Sequence, residues 1–190
     1  FSDSAMGMES RGDGSWTAFS FTGPAKIVRV AAVGTTLLGL DGSTAGVLWK
    51  STNYGRSWTA QSGLGAVAFQ QIAVCGAGVL LVQTPAASLG AYYSSDSGVT
   101  FSPVTVNGAS ALSLLDATCI NNVFYVSHSG TPTNVSRSTN GSTWVLGSPA
   151  PSSAVAVLSG TGSNLFGQGS GSPLVFSKST DGGLSYSAGD

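Results

Sequence analysis

Charge is what this sequence has least of. Only 7 Lys and Arg and 8 Asp and Glu occur in 190 residues, or 8%, against roughly a quarter in an ordinary soluble domain. With a net charge of −1 there is no basic footprint to neutralise phosphates or anionic headgroups, so no nucleic acid is expected as a partner. Histidine occurs once, as His128, and glutamate once, as Glu9. Metal ligation needs several such donors together, and the sequence clusters none, so neither a metal nor a cofactor is expected. The glycines sit in short turns with no helix after them, which removes a phosphate-binding loop as well. Long apolar runs are also missing: nothing reaches the ~18 residues of a transmembrane helix, so no membrane insertion is expected. Residues 1–20 lack the charged-then-apolar order of a signal peptide. The two cysteines, Cys75 and Cys119, fit neither a zinc spacing nor a C-x-x-C motif. They are expected as small buried thiols, since a disulfide needs Cα atoms within roughly 7 Å.

Glycine is abundant, at 27 residues, amid Ser, Thr, Ala and Val. Turn formers and β-branched residues, with few Glu or Lys to support exposed helices, predict an all-β chain. Five stretches repeat: ESRGDGSWTA, KSTNYGRSWTA, YSSDSGVTFSP, RSTNGSTWVLG and KSTDGGLSYSA. Their aromatic residues Trp16, Trp58, Phe101, Trp144 and Tyr186 are separated by 42, 43, 43 and 42 residues. Between them lie pairs of apolar runs such as KIVRVAAVGTTLLGL and LSLLDATCINNVFYVS, then a third run such as GVLWKS, and a fourth beginning at the aromatic residue, as in SWTAQS. Runs of four to seven residues bounded by Gly, Asn, Ser and Pro have strand length, and no stretch has a helical apolar period. Four strands in about 43 residues is the dimension of a β-propeller blade, whose two faces are buried by stacking on neighbours.

Three copies fit Ser-x-Asp/Asn-x-Gly-x-Ser/Thr-aromatic without gaps: Ser51, Asn53, Gly55, Ser57, Trp58; Ser94, Asp96, Gly98, Thr100, Phe101; and Ser179, Asp181, Gly183, Ser185, Tyr186. Two are a residue shorter: Ser138, Asn140, Gly141, Thr143, Trp144, and Ser10, Asp13, Gly14, Ser15, Trp16. The carboxylate or amide is suited to accept backbone N–H bonds of its own turn, Gly to supply a positive φ, and the ring to pack beneath the hairpin. The pattern resembles the Asp-box, or BNR repeat, of sialidase-like propellers, over essentially the whole chain. In that family the box joins the third and fourth strands, away from the ligand-binding face, so the resemblance implies a fold more than an activity. Within it Arg11-Gly12-Asp13 reads as part of a turn, not as an adhesion triplet.

The expected organisation is a single propeller domain over 1–190: a partial blade at 1–22, then blades at 23–62, 63–106, 107–148 and 149–190. Because the chain opens in mid-blade at Phe1, a longer propeller is expected; the alternative is a small ring closed by residues 1–22.

Catalytic members of the superfamily resembled here use three arginines, a Tyr-Glu nucleophile and an Asp acid/base. Of Arg11, Arg29, Arg56 and Arg137, only Arg29 lies outside a box region, and one guanidinium cannot make that cage. Asp41 and Asp116 are the remaining candidate pair for a two-carboxylate glycosidase, with turn capping and a polar strand exit as their structural alternative. His128 is expected as a polar loop residue. Trp49 and Tyr92, each two residues before a box, suit packing between blades or a sugar platform. Asn134 and Asn140 head glycosylation sequons. The loops between second and third strands, DGSTAG, TPAASLG, HSGTPT and GQGSGS, together with SPAPSS between blades, are small, uncharged and hydroxyl-rich. Such loops suit a glycan or a protein surface. The expectation is a non-catalytic extracellular structural or adhesive module, of the kind found in phage tails, fibres, decoration proteins or bacterial surfaces, with other virion proteins among its partners. The alternatives are a fragment of a glycoside hydrolase and an assembly factor that binds another protein.

Overall fold

The computed structural model describes residues 6–10, 14–41, 47–64, 69–83, 90–106, 114–128, 134–148, 155–169 and 175–188. Within them the regular structure is all strand, and the chain separates into two compact units, Phe1–Phe69 and Gln70–Asp190.

The first unit opens with a hairpin, β1 (Met6–Ser10) paired antiparallel to β2 (Trp16–Ser20), in which Ser10 lies opposite Trp16. A four-stranded antiparallel sheet follows in sequence order: β3 (Ile27–Val33), β4 (Thr36–Asp41), β5 (Leu48–Ser51) and β6 (Thr59–Ala60). The segment leaving β2 is tied to the turn between β5 and β6. Thr22 donates to Arg56 O at 3.1 Å and accepts from Trp58 N–H at 2.8 Å. Gly23, at φ +144°, passes so close that a Cβ there would stand 2.7 Å from the Trp58 Cβ.

The second unit holds three sheets of the same order, entered at Phe69. They are β7 (Phe69–Cys75), β8 (Gly78–Gln83), β9 (Ala91–Ser94) and β10 (Ser102–Val104); β11 (Leu114–Ile120), β12 (Val123–His128), β13 (Asn134–Ser138) and β14 (Val145–Leu146); and β15 (Val155–Thr161), β16 (Asn164–Gly169), β17 (Phe176–Ser179) and β18 (Ser187–Ala188). The fourth strand of each starts one residue after the aromatic residue, not at it as the sequence suggests. The ring turns into the sheet interface, and pairing begins only beyond it.

In β8, Val79, Leu80, Leu81 and Val82 are all fully buried, which needs an apolar layer on both faces of the sheet. One such layer sets Ala73, Leu80, Val82 and Ala91 against Leu114, Ala117, Phe124, Val126 and Trp144; a second sets Ile120, Tyr125 and Val135 against Val155, Leu158, Leu165 and Tyr186. Each fully buried side chain of this size contributes about 1.5–3 kcal/mol, so the stacking carries most of the stability. Tyr93 and Phe124 meet edge to face across the first layer, with centroids 5.9 Å apart.

Cys75 and Cys119 are not free thiols. They form a disulfide with Cα atoms 5.6 Å apart that joins β7 to β11 across the same layer. Neighbouring first strands run close beside one another, which brings two residues 44 apart in sequence within bonding distance.

Candidate functional site

Each four-stranded sheet has two functional ends, set by its antiparallel order. One end carries the turn between third and fourth strands; the other carries the ends of the second strands and the loops that follow them.

At the first end, Ser94 sits at the close of β9 with its side chain buried. Its hydroxyl donates to Asp96 Oδ1 at 2.6 Å and accepts from the N–H groups of Asp96 and Gly98 at 3.3 and 2.9 Å. Asp96 Oδ1 then accepts from Val99 and Thr100 N–H at 3.1 and 2.9 Å, and Oδ2 from the Thr100 hydroxyl at 2.6 Å. Ser179, Asp181, Gly183 and Ser185 reproduce the network, with Gly183 N–H donating to Ser179 Oγ at 2.8 Å, and the Ser185 hydroxyl donating to Asp181 Oδ2. In the Ser51 turn, Asn53 Oδ1 accepts from the Ser51 hydroxyl and from Ser57 N–H, both at 2.9 Å, while Nδ2 donates to Ser57 Oγ at 2.8 Å. In the shorter Ser138 turn, Asn140 Oδ1 accepts from Ser142 and Thr143 N–H at 3.0 and 2.8 Å, and Gly141 N–H donates to Ser138 Oγ at 2.8 Å.

The longer turns carry consecutive positive φ values, at Tyr54–Gly55, Ser97–Gly98 and Gly182–Gly183, whereas the shorter one has only Gly141. The first position of the pair accepts Tyr or Ser; the second is always Gly. At Gly141 a Cβ would overlap the Tyr93 ring of the preceding sheet, and at Gly183 it would stand 2.8 Å from Tyr125 Cε1. Tyr125 also donates its hydroxyl to Gly182 O at 3.0 Å. Gly141 and Gly183 are therefore seats for an aromatic ring of the neighbouring sheet.

The rings at the turns differ. Trp58, Trp144 and Tyr186 are buried, and Trp58 Nε1 donates to Gly55 O at 2.9 Å. Phe101 is half-buried, and Trp16 is exposed, on β2. Arg11, Gly12 and Asp13 lie outside the described residues; Arg56 stands over the Phe19 ring at 5.5 Å.

The other end contains the residues proposed from sequence as catalytic. Asp41, the last residue of β4, accepts from Val47 N–H at 3.2 Å and from Trp49 Nε1 at 3.1 Å, closing the loop and fixing the indole. Asp116 is in a β-bulge of β11. Its Oδ2 accepts from Leu158 N–H of β15 at 2.8 Å, and its own N–H donates to Ser127 Oγ at 3.1 Å. Both carboxylates accept from main-chain or indole donors of the sheets. Arg29 is exposed and donates to Val28 O at 3.1 Å.

His128 is not a loop residue. It ends β12, buried, with Nε2 3.1 Å from Ser136 Oγ. Burial lowers its pKa below the ordinary 6.5. Asp41–Trp49 and His128–Ser136 are the same diagonal pair in two repeats, a polar residue at the end of the second strand reaching the third. In the last sheet this position is Gly169, and the buried Ser177 hydroxyl has no partner among the described residues. The alignment of repeats contains this signal, but it emerges only when strand ends are aligned as well as turns. Of the loops expected to bind, DGSTAG, TPAASLG, HSGTPT and SPAPSS lie outside the described residues but for Asp41, Gly90, His128 and Ser148, while the first half of GQGSGS, 167–169, belongs to β16 and its second half lies outside them. Among the described residues no group of three or more His, Cys, Asp or Glu is gathered as metal ligands.

No family model matches the chain. No curated protein matches it. Solved structures do. YCF48 bound to D1 peptide aligns with a TM-score of 0.63 and 12% identity, over 87% of this chain and 53% of that one. YCF48 from Cyanidioschyzon merolae aligns at 0.60 and 12%, over 97% and 59%. The GH74 xyloglucanase from Xanthomonas campestris aligns at 0.61 and 15%, over 86% and 30%. This chain thus spans somewhat over half of the YCF48 structures and less than a third of the xyloglucanase. With four four-stranded antiparallel sheets, the likeness makes the fold that of a β-propeller.

Proposed function

We propose that this chain is a non-catalytic binding module of the Asp-box type, working outside the cell and recognising a protein or glycan surface through the loop ends of its sheets. The observation that carries the reading is that Asp41 and Asp116, the carboxylate pair suggested for glycoside hydrolysis, each cap main-chain or indole donors of the sheets, which supports structural roles for both. The Cys75–Cys119 disulfide supports an oxidising compartment, since thiols are held reduced in most cytosols. A virion or bacterial surface is the setting proposed here, on the low charge and the Gly-, Ser- and Thr-rich repeats. A protein partner is favoured over a glycan by the neighbour solved with a bound peptide. The GH74 neighbours favour a second reading, part of a glycoside hydrolase.

The two readings separate in one experiment. The purified chain is presented to a peptide array and a glycan array, and incubated with xyloglucan and a fluorogenic sialoside. Saturable binding to peptides without hydrolysis is the expected result. Turnover above the buffer rate that disappears in Asp116→Asn would overturn the non-catalytic reading.

A further inference from the structure

The Ser138 turn differs from the longer ones in more than length, because it places different atoms together. In the Ser51, Ser94 and Ser179 turns the shorter of the two main-chain bonds to the serine hydroxyl comes from Gly55, Gly98 and Gly183, two residues beyond Asn53, Asp96 and Asp181. In the Ser138 turn it comes from Gly141, the residue that directly follows Asn140. An Asn-Gly pair is well suited to attack of a main-chain nitrogen on a side-chain amide, since Gly has no Cβ to obstruct the five-membered ring that forms. Asn53 is followed by Tyr54 instead.

The hydrogen bonds of the short turn form a proton path for that attack. Gly141 N–H donates to Ser138 Oγ at 2.8 Å, and the Ser138 hydroxyl donates to Asn140 Oδ1 at 3.1 Å. Oδ1 also accepts from Ser142 and Thr143 N–H at 3.0 and 2.8 Å. Three donors thus converge on the oxygen where negative charge develops when Asn140 Cγ is attacked. Nδ2, the leaving group, makes a long bond to Thr143 Oγ1, 3.4 Å, on an exposed side chain. Gly141 is buried beneath the Tyr93 ring of the preceding sheet, and excluding water there strengthens the path.

We propose that Asn140 is a self-modification site, converted to aspartate by its own turn. The Gly141 nitrogen bonds to Asn140 Cγ; its proton passes to Ser138 Oγ while the Ser138 hydroxyl proton passes to Oδ1. The Cγ–Nδ2 bond then breaks, the proton on Oδ1 leaves with the nitrogen as ammonia, and a succinimide remains. Water opens the ring. The donors at Oδ1 direct its attack to Cγ, which restores the peptide bond to Gly141 and leaves aspartate; attack at the other carbonyl leaves isoaspartate. The net change consumes one water, releases one ammonia and adds one negative charge. The turn accepts the product, because Asp96 and Asp181 hold the same position in the flanking sheets and take a hydroxyl proton from Thr100 and Ser185, the counterparts of Thr143.

Dilution of the chain from mildly acidic urea into neutral buffer, with its disulfide intact, starts the clock. Peptide mapping by mass spectrometry then reads aspartate and isoaspartate at position 140 over time, beside a sample held in neutral urea, which has the same sequence without the turn. Asn140 is expected to convert roughly a hundredfold faster folded than in urea, the lower end of what a positioned proton relay supplies. Aspartate should exceed isoaspartate in the folded sample. Ser138→Ala should lose the acceleration; if it does not fold, the comparison of folded with unfolded wild type stands without it. A folded chain that converts no faster than the unfolded one overturns the proposal. So does a folded chain that yields chiefly isoaspartate, or a folded Ser138→Ala variant that keeps the wild-type rate.

Discussion

At Asp96 and Asn53 one turn is closed with opposite polarity. The carboxylate accepts a hydroxyl proton from Thr100, whereas the amide donates to the Ser57 oxygen. A hydroxyl does both, so Asp and Asn exchange freely at this position while an apolar residue does not. Ser94→Ala is a sharper test, since it strips the acceptor from the Gly98 N–H. Leaving that buried donor unpaired is expected to lower stability by about 1–3 kcal/mol in urea unfolding. Acid acts on the same turns. The Ser185 hydroxyl, with its neighbouring N–H donors, holds Asp181 at about 2, and the Ser94 hydroxyl first among its donors holds Asp96 well below the ordinary 3.8. Both depressions stabilise the fold fully above pH 3.8 and are lost as pH falls through the folded values. Asp96→Asn should remove its share of that acid dependence while leaving neutral stability nearly unchanged.

His128 adds a separate limb. Burial lowers its pKa below the ordinary 6.5, so the unfolded chain takes up a proton before the folded one does. Its stabilisation is complete above pH 6.5 and declines as pH drops below it. The urea midpoint of wild type is therefore expected to fall between neutral and mildly acidic pH, and that of His128→Gln to stay flat over the same interval. Parallel profiles would place the buried ring outside the acid response.

Between elements, the stabilising device is an aromatic ring set on a neighbouring turn. Tyr125→Phe keeps the ring and loses the bond to Gly182 O, for an expected cost of about 0.5–1.5 kcal/mol. Gly183→Ala should cost more, since its φ of +78° disfavours a side chain and Tyr125 must move to admit one. The disulfide reinforces the same layer. Reduction, or Cys75→Ser, is expected to lower stability by about 2–4 kcal/mol, measured as a shift in urea midpoint. Strands were legible in the sequence because their turns are marked by Gly and Asn and their apolar runs are short. The disulfide was not, because the sequence contains the spacing of its cysteines but not the distance between neighbouring first strands.

For the whole molecule, repetition hides how each sheet is covered. A sheet buried on both faces cannot be told by composition from one buried on a single face, and Phe166 and Tyr125 look alike in sequence. Only exposure separates them, Tyr125 at 2% and Phe166 at 54%, whereas the blades emerge from the period. The candidate acids followed a similar course. Asp41 and Asp116 were singled out by eliminating box residues, yet their employment by Trp49 and by Leu158 of another sheet depends on bulges and strand ends that spacing does not reveal.

The chain's own residues determined an all-β repeat of about 43 residues, its turns and their internal hydrogen bonds, because each of these is settled by side chains fewer than five residues apart. Tertiary structure decided which sulfurs bond, which acid accepts from a neighbouring sheet, and how deeply His128 is buried. Those outcomes depend on contacts between sheets, where the distance in space is set by stacking and not by position along the chain.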